Sequence, residues 1–210
     1  MSNKKIRNQK SEIRNVVLFD FDGTLSAKDT NLEFFNYCFK HSIKPWLFLP
    51  LVGIGYGLLH LEKKFKIKGI SKIRYALILS FLSPRFMRRI APGFIKQHKT
   101  ERFGWAAEQV AKERKAGNYV VLTSAGRGEL IMPLVSDIEF DLIICSEFNK
   151  KRPWQLEFFN YGENKRTALN AIGITRAVRT YSDHKSDMPI MEMADEQVWI
   201  DPVHGTRIEK

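Results

Sequence analysis

Residues 16–25, VVLFDFDGTL, constrain this chain more than any other stretch. Four apolar residues run directly into two aspartates, a glycine and a threonine. An unbroken apolar run of this kind suits a strand covered on both faces, as in a parallel sheet. Residues two apart on an extended chain point the same way, so Asp20 and Asp22 leave the strand as neighbours. Two like charges side by side need a cation between them, or one must keep a proton. A bound metal ion is the simplest resolution.

The pattern beyond this strand divides the chain. Residues 29–116 read as helical, with helices expected over 33–41, 46–61, 71–82 (stopped by Ser83-Pro84) and 101–116. After Gly117 strands alternate with helices. Strands are expected over 119–123, 141–145, 154–159, 177–181 and 197–200, and helices over 129–135, 165–172 and 189–194. That alternation implies a parallel α/β sheet with right-handed crossovers. The organisation is a basic tail (1–15), a core formed by 16–28 and 117–210, and a helical insertion (29–116). A chain of 210 residues suffices for one core and such an insertion. Ligands of open α/β sheets bind beyond the carboxyl ends of the strands. Asp20, Ser124 and Asp183 follow three different strands and can meet there.

DFDGT (20–24), the serine after VVLT, Lys165 in YGENKRTAL, and YSDHKSDMP occur in the order of the four motifs of the haloacid dehalogenase (HAD) superfamily phosphatases, which this chain resembles. The resemblance implies a Rossmann-like α/β core. The wide gap between the first two motifs is similar to that of the subclass with a helical cap there, which includes phosphoserine phosphatase. It implies that Asp20 is the nucleophile, forming an aspartyl-phosphate, and that Asp22 protonates the leaving oxygen and then activates water. It assigns Thr24 to orienting Asp22. Ser124, with Thr123 as the fallback, and Lys165 would hold the phosphoryl group. Asp20, Asp22 (through its backbone carbonyl), Asp183 and Asp187 would serve a Mg²⁺ site, directly or through water. Oxygen donors suit that ion. His184, inside the fourth motif, is expected to face solvent, and Trp154, Phe158 and Phe159 to belong to the core.

The insertion carries the question of substrate. Asp29 stands where phosphoserine phosphatases usually have Glu, which weakens a phosphoserine assignment. It can bind an amine or hydroxyl of another ester, or simply begin a helix. Residues 26–115 hold eighteen Lys/Arg against six Asp/Glu, an excess that draws anionic ligands. Residues 45–61 carry no formal charge. They are short for a membrane span and interrupted by Pro50, Gly53, Gly55 and Gly57. Lys63, Lys64, Lys66 and Lys68 follow, then 75–82, then Arg85, Arg88 and Arg89. This layout resembles phosphatidylglycerophosphatase C and makes the cap a candidate for peripheral contact with an anionic membrane. Two substrate classes stay open. One is a soluble amino-alcohol, polyol or sugar-linked phosphate, including cell-surface polysaccharide precursors; the other is a lipid phosphate. A non-catalytic basic binding module is the third alternative. No nucleic-acid motif is present. No secretory signal is visible at the start, and Cys38 and Cys145 read as buried thiols, so a cytoplasmic protein is expected, with membrane association as the variant.

Overall fold

Strand β1 (Val16–Phe19) is buried along its whole length and lies inside a seven-stranded sheet of order β4-β3-β2-β1-β5-β6-β7. The computed structural model describes residues 15–65 and 71–208. The basic tail through residue 14, and Lys66 and Lys68, lie outside the described residues. β2 (Tyr119–Arg127) and β5 (Ala177–Ser182) flank β1 in parallel, Phe19 standing opposite Leu122 and Tyr181. β3 (Leu142–Phe148) and β6 (Ala194–Ile200) extend the parallel set outward. β4 (Leu156–Phe158) and β7 (Arg207–Ile208) close the edges antiparallel.

The period-2 alternation of β1 shows why its sequence is apolar throughout. Val17 and Phe19 enter one core cluster, with Leu122, Leu130 and Val198. Val16 and Leu18 enter another, with Leu169 and Ile190. Each such side chain contributes about 2 kcal/mol by burial, so neither face tolerates a polar residue.

Between β1 and β2 the chain forms α1 (Thr30–His41), α2 (Lys44–Leu47), α3 (Leu49–Phe65), α4 (Ser71–Ile78), α5 (Pro84–His98) and α6 (Ala106–Lys115). α7 (Gly128–Leu134), α8 (Glu163–Ala171) and α9 (Met188–Met191) follow among the later strands. The chain leaves and re-enters the sheet region through adjacent segments. Phe103 N–H donates to Leu25 C=O at 3.0 Å, and Ser26 bridges Arg102. α6 then packs against β2, and its buried Glu113 accepts from Tyr181 Oη at 2.8 Å and binds Arg179.

The inserted helices differ from the sequence expectation in their boundaries, the helix expected over 101–116 beginning only at Ala106. Ser83-Pro84 starts a helix as well as ending the preceding segment. Ser83 Oγ accepts from Phe86 N–H at 3.3 Å, and Pro84 occupies the first turn, where no N–H is needed. The resulting α5 buries Phe86, Ile90 and Phe94 at four-residue spacing and exposes Arg85, Arg88 and Arg89. The helix expected over 46–61 is present despite Pro50 and the three glycines, but it is split at Phe48 into α2 and α3. Pro50 sits in the first turn of α3, and Gly55 lets α4 approach. A Cβ at Gly55 would stand 2.6 Å from Ile78 Cγ1 and 3.0 Å from Ile78 N.

β2 also continues past residue 123, with an irregularity between Ser124 and Arg127. Asn160, fully buried just beyond β4, supports this bend. Its Nδ2 donates to Thr123 Oγ1, Ser124 C=O and Ile144 C=O at 3.0–3.1 Å. Asn160→Ala leaves buried acceptors unpaired. We expect a stability loss of about 2 kcal/mol or more in urea denaturation; a loss below about 0.5 kcal/mol would show that the bend holds without it.

Candidate active site

The site begins with one buried cation. Lys165 lies in the first turn of α8, which follows Gly162 at φ +56°. Its Nζ stands 2.7 Å from Asp20 Oδ1 and 2.8 Å from Asp187 Oδ2, and its side chain is 2% exposed. Ser182, the last residue of β5, donates from Oγ to the same Asp187 oxygen at 2.9 Å. Burial alone would lower the affinity of Lys165 for its proton. The two carboxylates outweigh that, and its pKa is raised.

Asp20 and Asp22 line one cavity but are held differently. Asp20 N–H continues the sheet to Tyr181 C=O at 3.0 Å, and its side chain meets Lys165. Asp22 Oδ1 accepts from Thr30 N–H at 2.8 Å and from Thr30 Oγ1, so the first turn of α1 fixes it. Burial pushes Asp20 up to about 8 against the pull of Lys165. Burial likewise pushes Asp22 up to about 7, against the hydrogen bonds from Thr30.

Thr24 does not perform the role expected of it. Its hydroxyl donates to Asp183 Oδ1 at 3.1 Å, and it is fully buried; Thr30 orients Asp22 instead. The intervening Gly23, at φ +79°, turns the chain and makes room for Asp183. A Cβ at position 23 would stand 2.2 Å from Asp183 Oδ2. Burial raises the pKa of Asp183 too, against the bond from Thr24.

Ser124 is also fully buried. Its Oγ accepts from Gly126 N–H at 2.9 Å, and its neighbour Ala125 lines the cavity. Thr123 is engaged by Asn160. Asp29 both lines the cavity and caps α1 through Leu32 N–H at 2.9 Å. His184 is exposed, as expected, and also lines the cavity, where its Nδ1 accepts from Ser186 N–H at 3.0 Å. Tyr161, which sequence reasoning missed, lines it as well and stacks on Phe159. Its place just before the GENK motif was the available signal. Thr30 and Ser182 carried no signal beyond being polar at element ends.

The cavity measures about 440 Å³, and Asp20, Asp22, Asp29, Asp183 and Asp187 all reach it, against Lys165 as the buried cation. Burial raises the proton affinity of Asp20, Asp22 and Asp183. Oxygen donors of this kind suit a hard divalent cation such as Mg²⁺, and the space left by Gly23 is filled by the Asp183 carboxylate at the same cavity. Among the described residues, no three His, Cys, Asp or Glu side chains form a closed ligand group. Asp20, the Asp22 backbone and Asp183 are the residues that would hold the ion. Asp187 already spends Oδ2 on Lys165 and Ser182.

A family model described as haloacid dehalogenase-like hydrolase matches residues 17–192. The chain therefore belongs to the haloacid dehalogenase-like hydrolases. Among solved structures, a Bordetella pertussis Tohama I protein of unknown function is 17% identical at a TM-score of 0.67, with 90% of this chain and 91% of that one covered. A phosphoserine phosphatase, in a structure titled as its phospho-aspartyl intermediate analogue, is 16% identical at 0.57, covering 89% and 86%. A phosphoserine phosphohydrolase-like protein from Francisella tularensis subsp. tularensis SCHU S4 is 14% identical at 0.58, covering 89% and 87%. These likenesses establish the fold. No curated protein matches the sequence.

The raised carboxyls set a pH dependence. Asp20 and Asp22 bind protons more tightly folded than unfolded, so their stabilising contribution is complete below the ordinary carboxyl range and is lost as pH rises through about 7–8. The metal-free protein is expected to lose Tm between pH 5 and 8.5 in thermal unfolding. Mg²⁺ should restore it most at pH 8.5, and Asp22→Asn should flatten the dependence. A Mg²⁺ gain that is larger at pH 5 would count against this account.

Proposed function

We propose that the protein is a Mg²⁺-dependent phosphomonoester phosphatase working through an aspartyl-phosphate on Asp20. The observation that carries this is the Lys165 contact. It occupies Asp20 Oδ1 and leaves Oδ2 as the oxygen that attacks phosphorus. As that bond forms, the ester P–O bond breaks, and Asp22, whose hold on a proton burial strengthens, gives that proton to the leaving oxygen. Asp22 then takes a proton from water, the water oxygen bonds to phosphorus, and inorganic phosphate leaves with Asp20 restored. Lys165 holds positive charge beside the group in flight. The ion, when bound, supplies Lewis-acid neutralisation of the phosphate. Ala125, at the bent end of β2, lines the cavity where the phosphoryl oxygens would rest, with Ser124 buried behind it.

The buried Lys165–Asp20–Asp187 cluster weighs against a non-catalytic module. Such networks are costly to bury, and hydrophobic residues would stabilise the fold as well.

Two substrate readings have support. Asp29 at the cavity wall suits an amine or hydroxyl of a polar ester. The insertion favours a lipid phosphate met at an anionic surface. Ile43, Trp46, Leu47 and Ile54 are more than half exposed, and no Asp or Glu occurs between Glu33 and Glu62. Beside them Lys44 and Arg89 flank the Phe86 ring at 5.1 and 5.5 Å, neither in an ion pair among the described residues. Burial and Arg89 together lower the pKa of Lys44. Among the described residues no helix is long and apolar enough to cross a membrane.

Asp20→Asn should abolish phosphate release and the acid-stable mass adduct of phosphate on the protein, with the far-UV spectrum unchanged. Asp22→Asn should slow formation of the phosphate adduct from alkyl phosphates about 10²-fold or more and from aryl phosphates, which need no proton on leaving, far less, while slowing adduct hydrolysis equally for both. Full turnover by Asp20→Asn would refute the nucleophile assignment. Equal losses in adduct formation on both ester types would refute the acid.

A further inference from the structure

A second cavity adjoins the catalytic one. It measures about 290 Å³ and shares Asp29, Asn31 and Ala125 with it. Beyond that shared wall its chemistry changes. Phe34, Phe35, Tyr56, Tyr75, Ile78 and Phe159 form its sides. The cavity lies at the seam between the helical insertion and the sheet. Tyr75 of α4 meets Phe159 edge-on at 5.4 Å and Phe148 of β3 at 6.5 Å. Phe159, expected in the core, is thus only half-buried and faces this seam.

Two arginines interrupt the apolar wall. Arg74 pairs with Glu62 at 3.1 Å and stacks on Tyr75. Arg127 is 2% exposed and lies 3.8 Å over the Phe148 ring. Its Nη1 donates to Pro153 C=O and its Nη2 to Glu129, but its buried Nε–H has no hydrogen-bond partner. A buried donor of this kind calls for an acceptor.

Resting on the phosphatase reading of the neighbouring site, we propose that the substrate's leaving group carries an apolar chain that occupies this second cavity, with an acceptor oxygen near Arg127. Continuity of the two cavities places the chain on the far side of the ester oxygen from the phosphate. At about 30 Å³ per water-sized group, the cavity holds a chain of about ten carbons. A wholly polar leaving group would bury hydroxyls or an ammonium against aromatic walls and leave them unpaired. The inference shifts the substrate from polyol phosphates to amphiphilic ones.

The test is kcat/KM on the full chain with Mg²⁺ for n-alkyl phosphates from two to twelve carbons, each below its micelle concentration, beside glycerol phosphate. The expected result is a rise of about fourfold per methylene, levelling near ten carbons. Leu59→Trp, which fills the cavity from α3, should flatten that rise with an unchanged thermal transition. Calorimetry with decylphosphonate and methylphosphonate separates the two claims. Turnover that is independent of chain length, with equal binding of both phosphonates, overturns the apolar cavity and leaves the phosphatase. Absent turnover of every ester, with decylphosphonate bound more tightly and with a negative heat-capacity change, overturns the phosphatase and leaves the cavity. Absent turnover with equal binding overturns both.

Discussion

Lys165 between Asp20 and Asp187 is the contact on which this molecule's arrangement depends. A lysine buried this completely survives only where carboxylates meet it directly, and removing either partner would strand a charge. The pairing joins three sheet-end elements. Asp20 comes from the end of β1, Lys165 from the start of α8, and Asp187 from the turn after β5. The same contact that closes the carboxyl end of the sheet also restricts Asp20 to one free oxygen. The closure of the sheet end and the placing of the Asp20 carboxylate both rest on one ammonium group.

Around that centre, each carboxylate is distinguished by its local partners. Asp22 is bound by the first turn of α1, which ties it to the inserted helices. Asp183 is bound by Thr24 and rests against Gly23, which ties it to the loop after β1. Burial favours the protonated form in all three of Asp20, Asp22 and Asp183. A carboxyl that keeps its proton can serve as an acid, and one that must lose it needs an added cation. This is how two aspartates two positions apart can take unlike roles.

The inserted helices supply a different chemistry at the same mouth. Their inner side is aromatic and meets Phe148 and Phe159 of the core; their outer side presents apolar residues beside Lys44 and Arg89. α3 is helical although its glycines are weak helix formers. Gly55 is explained by the close packing of α4, which no local propensity reports. Ser83-Pro84 is ambiguous in sequence. It ends one segment and caps the next, and only the buried face of α5 decides between the two.

The sequence by itself determined the parallel sheet, the strand that ends at Asp20, and the family, because apolar runs and DFDGT, Lys165 and YSDHKSDMP are local signals with a fixed order. It also marked Asp20, Asp22, Asp29, Lys165, Asp183 and Asp187, all of which reach the one cavity. Only the tertiary structure decided that Thr30 rather than Thr24 holds Asp22, that Asn160 braces the bend at Ser124, and that Phe159 and Tyr75 wall a second cavity. Those facts depend on contacts between residues far apart in the chain, such as the 3.1 Å bond from Thr24 to Asp183. A hydroxyl or a ring carries no mark in sequence of which distant partner it will meet; that is settled when the sheet and the insertion close on each other.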